Sequence, residues 1–75
     1  LMARLYRFSV LLSEQQCLGY YHGQIKYVLV IADSGEKIQL EAHNFRRFFT
    51  HSGLSGRFEL TTTDQGKFVS LKKIN

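Results

Sequence analysis

Proline and tryptophan are absent from this chain, and cysteine occurs once, as Cys17. A lone cysteine excludes an internal disulfide. Small secreted domains depend on several, so a reducing, cytoplasmic compartment is expected. Long apolar runs are missing too. The longest, 27–32, is six residues, far short of the ~20 that a membrane-spanning helix needs. The stretch 1–12 alternates in polarity and carries Arg7, unlike the unbroken apolar segment of a signal peptide. Without proline, glycine supplies the punctuation, and no linker, repeat or low-complexity segment divides the chain.

What is present describes one small globular domain. Its 75 residues suffice for a single core, and six Phe with four Tyr supply the bulk a short chain needs to bury. Ten Lys and Arg stand against six acidic residues, for a net charge of +4. Nucleic-acid binders share such an excess with many proteins that bind none.

Periodicity predicts the elements. Residues 4–12 alternate, with Tyr6, Phe8, Val10 and Leu12 on one face, as a half-buried strand does. Ser13 with Gln16 three residues on has the capping-box pattern, so 13–22 reads as a short helix. Its apolar stripe would hold Cys17, Leu18, Tyr20 and Tyr21, with Gly23 as the stop. The stretch 24–32 is apolar on both faces, which predicts a central strand or a barrel wall. Asp33-Ser34-Gly35-Glu36 is a tight turn leading into a strand over 37–41. Phe45, Phe48 and Phe49 then recur at helical spacing, with Arg46 and Arg47 off that stripe, Asn44 as N-cap and Gly53 as stop. Strands over 56–62 and 67–74 close the chain around the turn Thr63-Asp64-Gln65-Gly66.

The order is β-α-β-β-α-β-β. It predicts a mostly-β α+β domain, a small twisted antiparallel sheet or partly open barrel of about five strands with two short helices. Patterning leaves sheet and barrel both open.

Several local signatures line up along this frame: Tyr6-Arg7-Phe8-Ser9, Tyr20-Tyr21-His22-Gly23, Asp33-Ser34-Gly35 with Ile38-Gln39-Leu40, and Phe45-Arg46-Arg47-Phe48. They continue through Thr50-His51-Ser52-Gly53-Leu54-Ser55-Gly56-Arg57-Phe58 to Lys67-Phe68, Leu71 and Ile74. Together they resemble a family of short, uncharacterised bacterial proteins of about this length, known as a domain of unknown function. That family carries a Pro-Ala step after the third strand where this chain has Glu41-Ala42, and a Pro where it has Arg47. Both departures make a helix through 45–49 easier. The resemblance implies a bacterial cytoplasmic setting and no assigned activity.

No chemistry-bearing constellation emerges. Cys17 with His22 or His43 as base would make a nucleophilic pair, but Cys17 falls on an apolar stripe, where a free cysteine behaves as a small hydrophobe. Cys17, His22, His43 and His51 lack the spacings of metal sites. Asp33 and Asp64 sit where turns call for Asp, and the glycines form no phosphate cradle. Bacterial cyclic-dinucleotide-binding barrels join an arginine-rich stretch to an Asp/Asn-x-Ser-x-x-Gly motif, and Asp33-Ser34-Gly35 has the wrong spacing for it. No catalytic residue, metal or cofactor is expected.

The expected function is therefore a non-enzymatic binding module for an anionic partner, nucleic acid ahead of an acidic protein. Arg46, Arg47, Arg57 and Lys67 would supply charge around a Gly-rich loop, 51–56, that contains His51. Tyr21 or Tyr27 would stack on bases. Phe45, Phe48 and Phe49 suit a core better than a stacking platform. The alternative is a protein-protein adaptor, or a self-associating module, using a sheet edge or an aromatic patch.

Overall fold

The first strand, β1 (Arg4–Leu12), buries Phe8 and Val10 and exposes Arg7 and Ser9, as its alternation requires. It pairs antiparallel with β4 (Leu54–Thr62), and β4 pairs antiparallel with β5 (Phe68–Lys73), giving a three-stranded sheet in the order β1-β4-β5. This is a computed structural model describing residues 2–75; Leu1, at the head of the alternating stretch, lies outside the described residues. The register sets Phe8 opposite Phe58, and their rings stack 6.2 Å apart at 15°. β4 is central because Leu54, Phe58 and Leu60 all point into the core.

A second sheet holds β2 (Tyr27–Ile31) and β3 (Lys37–Glu41), joined by the expected tight turn. Gly35 takes φ 103° there, and its N–H donates to the Ala32 carbonyl at 2.8 Å. The two sheets adjoin where the Asp33 N–H donates to the Arg7 carbonyl at 2.8 Å. The described strands do not close into a barrel. Val28, Val30 and Leu40 face the same core as Phe8, Phe58 and Leu71.

β2 corrects one expectation. Its two apolar faces predicted a central strand or a barrel wall, yet it belongs to a two-stranded sheet, with Tyr27, Leu29 and Ile31 at 56, 65 and 60% exposure. It also begins at Tyr27 and not at residue 24. The Gln24 and Ile25 N–H groups instead donate to the Gly19 carbonyl, and the Ile25 side chain lies where a Cβ on Gly19 would stand.

α1 (Glu14–Tyr21) forms as its caps predict. Ser13 Oγ accepts from the Gln16 N–H at 3.1 Å, and Gln16 Oε1 accepts from the Ser13 N–H at 2.8 Å. Its stripe is narrower than expected: Cys17 is buried, whereas Leu18 and Tyr21 are exposed.

The arginine segment is helical but tighter than the expected α-turns. It forms a 3-10 helix over Ala42–Phe48, with Glu41 and not Asn44 at its N-terminal boundary. At three residues per turn, positions i and i+3 eclipse. Ala42, Phe45 and Phe48 thus share one face, and Phe45 and Phe48 both set their rings edge-on to Phe58, at 5.5 and 5.1 Å. Phe49 lies beyond the helix in extended backbone and packs on Tyr20. Gly53 is not the helix stop; it closes a separate turn with Thr50. β4 starts at Leu54, so the expected Gly-rich loop shrinks to this turn, and Gly56 is a strand residue opposite Val10.

Candidate nucleic-acid interface

The eclipsed geometry that buries Phe45 and Phe48 also sorts the polar residues of the same helix. His43 and Arg46 fall on a second face, and Asn44 and Arg47 on a third. Both arginines are exposed. The Arg46 guanidinium carbon lies 5.8 Å from the centre of the Tyr21 ring, and that of Arg47 lies 4.7 Å from the centre of the Phe48 ring. A cation over the face of a ring is attracted by its quadrupole, which restrains the head group without neutralising it. Arg47 Nη2 also donates to the Leu71 carbonyl of β5.

Neither arginine has a carboxylate partner among the described residues. The ion pairs among the described residues are Arg7 with Glu59 at 3.0 Å, Lys72 with Glu59 at 3.4 Å, and Arg57 with Asp33. Between the 3-10 helix and β5 runs a shallow groove of about 340 Å³, lined by His43, Asn44, Arg46, Arg47 and Phe68 among others. Phe68 is 45% exposed, and Lys67, which precedes it, is exposed but does not line the groove. Tyr21 borders a second hollow of about 380 Å³ with Phe49 and His51. Tyr21 therefore lies under Arg46 and also shares a hollow with His51.

Arg57 stands apart from this group. It alternates with Phe58, which faces the core, so it emerges on the opposite face of the three-stranded sheet from the 3-10 helix. There Nη1 donates to Asp33 Oδ1 at 2.9 Å and to Ser9 Oγ at 3.2 Å, and Nη2 donates to Asp33 Oδ2. Those hydrogen bonds hold the Asp33 carboxyl below its ordinary range and push Arg57 up. Tyr27 is likewise separate, in a seam with Leu11 and Leu29.

Cys17 is 4% exposed, and burial pushes its thiol up. Among the described residues, no group of three or more His, Cys, Asp or Glu is placed to hold a metal ion, and no helix is long and apolar enough to cross a membrane. Sequence reasoning missed His43, Phe68 and the Leu71 carbonyl. The three-residue spacing of His43 and Arg46 was the available signal; it puts them on one face of either kind of helix, and in the 3-10 helix they eclipse.

The architecture is that of a small mostly-β α+β domain with two antiparallel sheets and an arginine-bearing helix across the core face of one. A family model described as protein of unknown function (DUF2835) matches residues 4–74, and the chain belongs to that family. No curated protein and no solved structure matches the chain.

Proposed function

We propose that this protein is a non-enzymatic binding module for an anionic partner, with single-stranded nucleic acid as the partner its surface fits best. One observation carries the reading. Arg46 and Arg47 sit side by side on one exposed turn, each held over an aromatic ring, and neither is neutralised by a carboxylate. Such guanidinium groups are restrained and still carry full charge, which suits them to phosphate oxygens. Phe68 and Tyr21, each about half exposed, flank them with ring surface on which bases stack. His43 extends the polar rim of the groove, and exposed Lys67 precedes Phe68 in the chain. An acidic protein would use the charge and leave the rings idle, which places it second. The setting that suits a single buried, unpaired cysteine is a reducing one such as the cytoplasm.

Fluorescence anisotropy with labelled single-stranded RNA and DNA at low salt tests this. With Arg46, Arg47 and Lys67 each on a phosphate, log K falls against log salt with a slope of about −2. Arg46→Glu with Arg47→Glu removes the binding while the circular dichroism spectrum stays native. No anisotropy change at low salt with either polymer refutes the proposal.

A second reading, a self-associating module, is favoured by a different observation, the exposed apolar face of β2.

A further inference from the structure

Every second residue of β2 points away from the core, and these residues are apolar: Tyr27, Leu29 and Ile31. Leu11, 81% exposed, joins them, because β1 runs antiparallel beside β2 and Leu11, Tyr27 and Leu29 line the same seam. A lone exposed leucine needs no explanation, but a contiguous apolar row on a sheet face marks a contact surface.

The rim of this row indicates what covers it. Register places Lys37 beside Ile31, Gln39 beside Leu29 and Glu41 beside Tyr27. Side chains of paired residues share a face, so Lys37 and Glu41 stand at opposite ends of the row on its outer side. Both are exposed, and neither has an ion-pair partner among the described residues. On the other side, the charges of Arg57 and Asp33 cancel each other. The row is thus apolar along its middle, positive at one end and negative at the other. A two-fold axis through Leu29 and Gln39 superposes opposite ends, bringing Lys37 of each copy to Glu41 of the other and Leu29 to Leu29.

We propose that this face is the interface of a homodimer, formed by two copies packing face to face about that axis. A two-fold interface must be self-complementary, and a row with one free cation and one free anion at equal distances from its centre meets that condition. A membrane surface would call for a basic rim, and Glu41 stands on this one. An acidic partner would be repelled at the same end. At about 100 Å² of apolar surface for each of the row's residues, two copies bury about 800 Å² from the row, and the Lys37, Gln39 and Glu41 stems bring the total to about 1,000 Å². That lies at the low end for specific contacts, so the dimer forms in the micromolar range and its subunits exchange.

Sedimentation velocity from about 1 µM to about 1 mM is the test, with far-UV circular dichroism to confirm native folding of each variant. The parent shifts from monomer to dimer across this range and holds at high salt. Leu29→Lys, and independently Leu11→Lys, weakens the dimer by about 100-fold, because each places a charge in the desolvated centre. Lys37→Glu weakens it by about 10-fold, and the double exchange Lys37→Glu with Glu41→Lys restores it, since the ends still meet as opposites. A monomer at every concentration overturns the proposal. So does a dimer indifferent to both leucine variants, which would point to pairing through the open β3 edge, and so does failure of the double exchange to restore association.

Discussion

Arg57 and Asp33 clasp the two sheets together from outside the core: the guanidinium, on the central strand β4, meets the carboxylate on the turn between β2 and β3, and Ser9 of β1 accepts a further bond. The arginine that sequence alone groups with Arg46 and Arg47 is therefore occupied, and it faces the other way.

That arrangement separates the cations experimentally. Arg46→Ala lowers affinity for a single-stranded oligonucleotide by about ten-fold, the loss of a charged contact worth about 1.4 kcal/mol. Arg57→Ala leaves the affinity within about two-fold. Equal losses from the two variants in anisotropy titrations would show that both faces contribute.

Acid is expected to weaken the fold in a definite window. Glu59, buried at the centre of the outer sheet face, is held below the ordinary carboxylate range chiefly by the hydrogen bond from Arg7; burial opposes this, and Lys72 adds to it. Asp33 is depressed in the same direction by Arg57. A folded pKa below the unfolded one means that the unfolded chain takes up protons first as pH falls. The stability these pairs contribute is fully present above the ordinary values, about 4, and is lost as pH drops through the lower folded values. Urea midpoints should hold from neutrality to about pH 5 and fall below about pH 4. Glu59→Gln should lower the neutral midpoint and flatten the acid limb; a limb as steep as the parent's would assign the loss to other groups.

Two glycines with similar backbone angles differ sharply in their surroundings. Gly53 has φ 109°, and a Cβ there would run into the Leu12 carbonyl oxygen; Gly35 has φ 103° and opens onto free space. Gly35→Ala meets only the conformational penalty, about 1 kcal/mol. Gly53→Ala adds a clash with backbone and should cost about 3 kcal/mol or more, measured as the change in urea unfolding free energy. Similar losses at the two positions would mean that the turn at Gly53 shifts to make room.

Cys17 should be chemically silent while the protein is folded. Burial keeps its thiol protonated at neutral pH, and the thiolate is the reactive species. A thiol reagent should label it at least about 100-fold more slowly in the native state than in denaturant. Fast labelling of the native protein would mean that α1 opens locally.

The local elements were legible because their causes are local. Ser13 and Gln16 cap α1 by reaching three residues along the chain, Gly35 and Gly66 take the positive φ their hairpin turns need, and the alternation of β1 repeats every second residue. Expectations failed where the deciding partner is distant in sequence. The apolar pattern of β2 is the same for a strand covered on both faces and for one covered on one face. Phe45 and Phe48 satisfy helical spacing at 3.6 residues per turn as well as at three. Phe58, the ring both meet edge-on, lies in β4.

By itself the sequence determined a mostly-β fold, its order of elements, its turns, most of its core and a family whose members it resembles. Only the tertiary structure decided which cations act together. Alternation in β4 sends Arg57 through the sheet to Asp33, while the tight turn of the 3-10 helix sets Arg46 and Arg47 against aromatic rings with no counter-charge. Net charge is a sum over residues and carries no direction; a surface has one, and it comes from which side chains the core claims first.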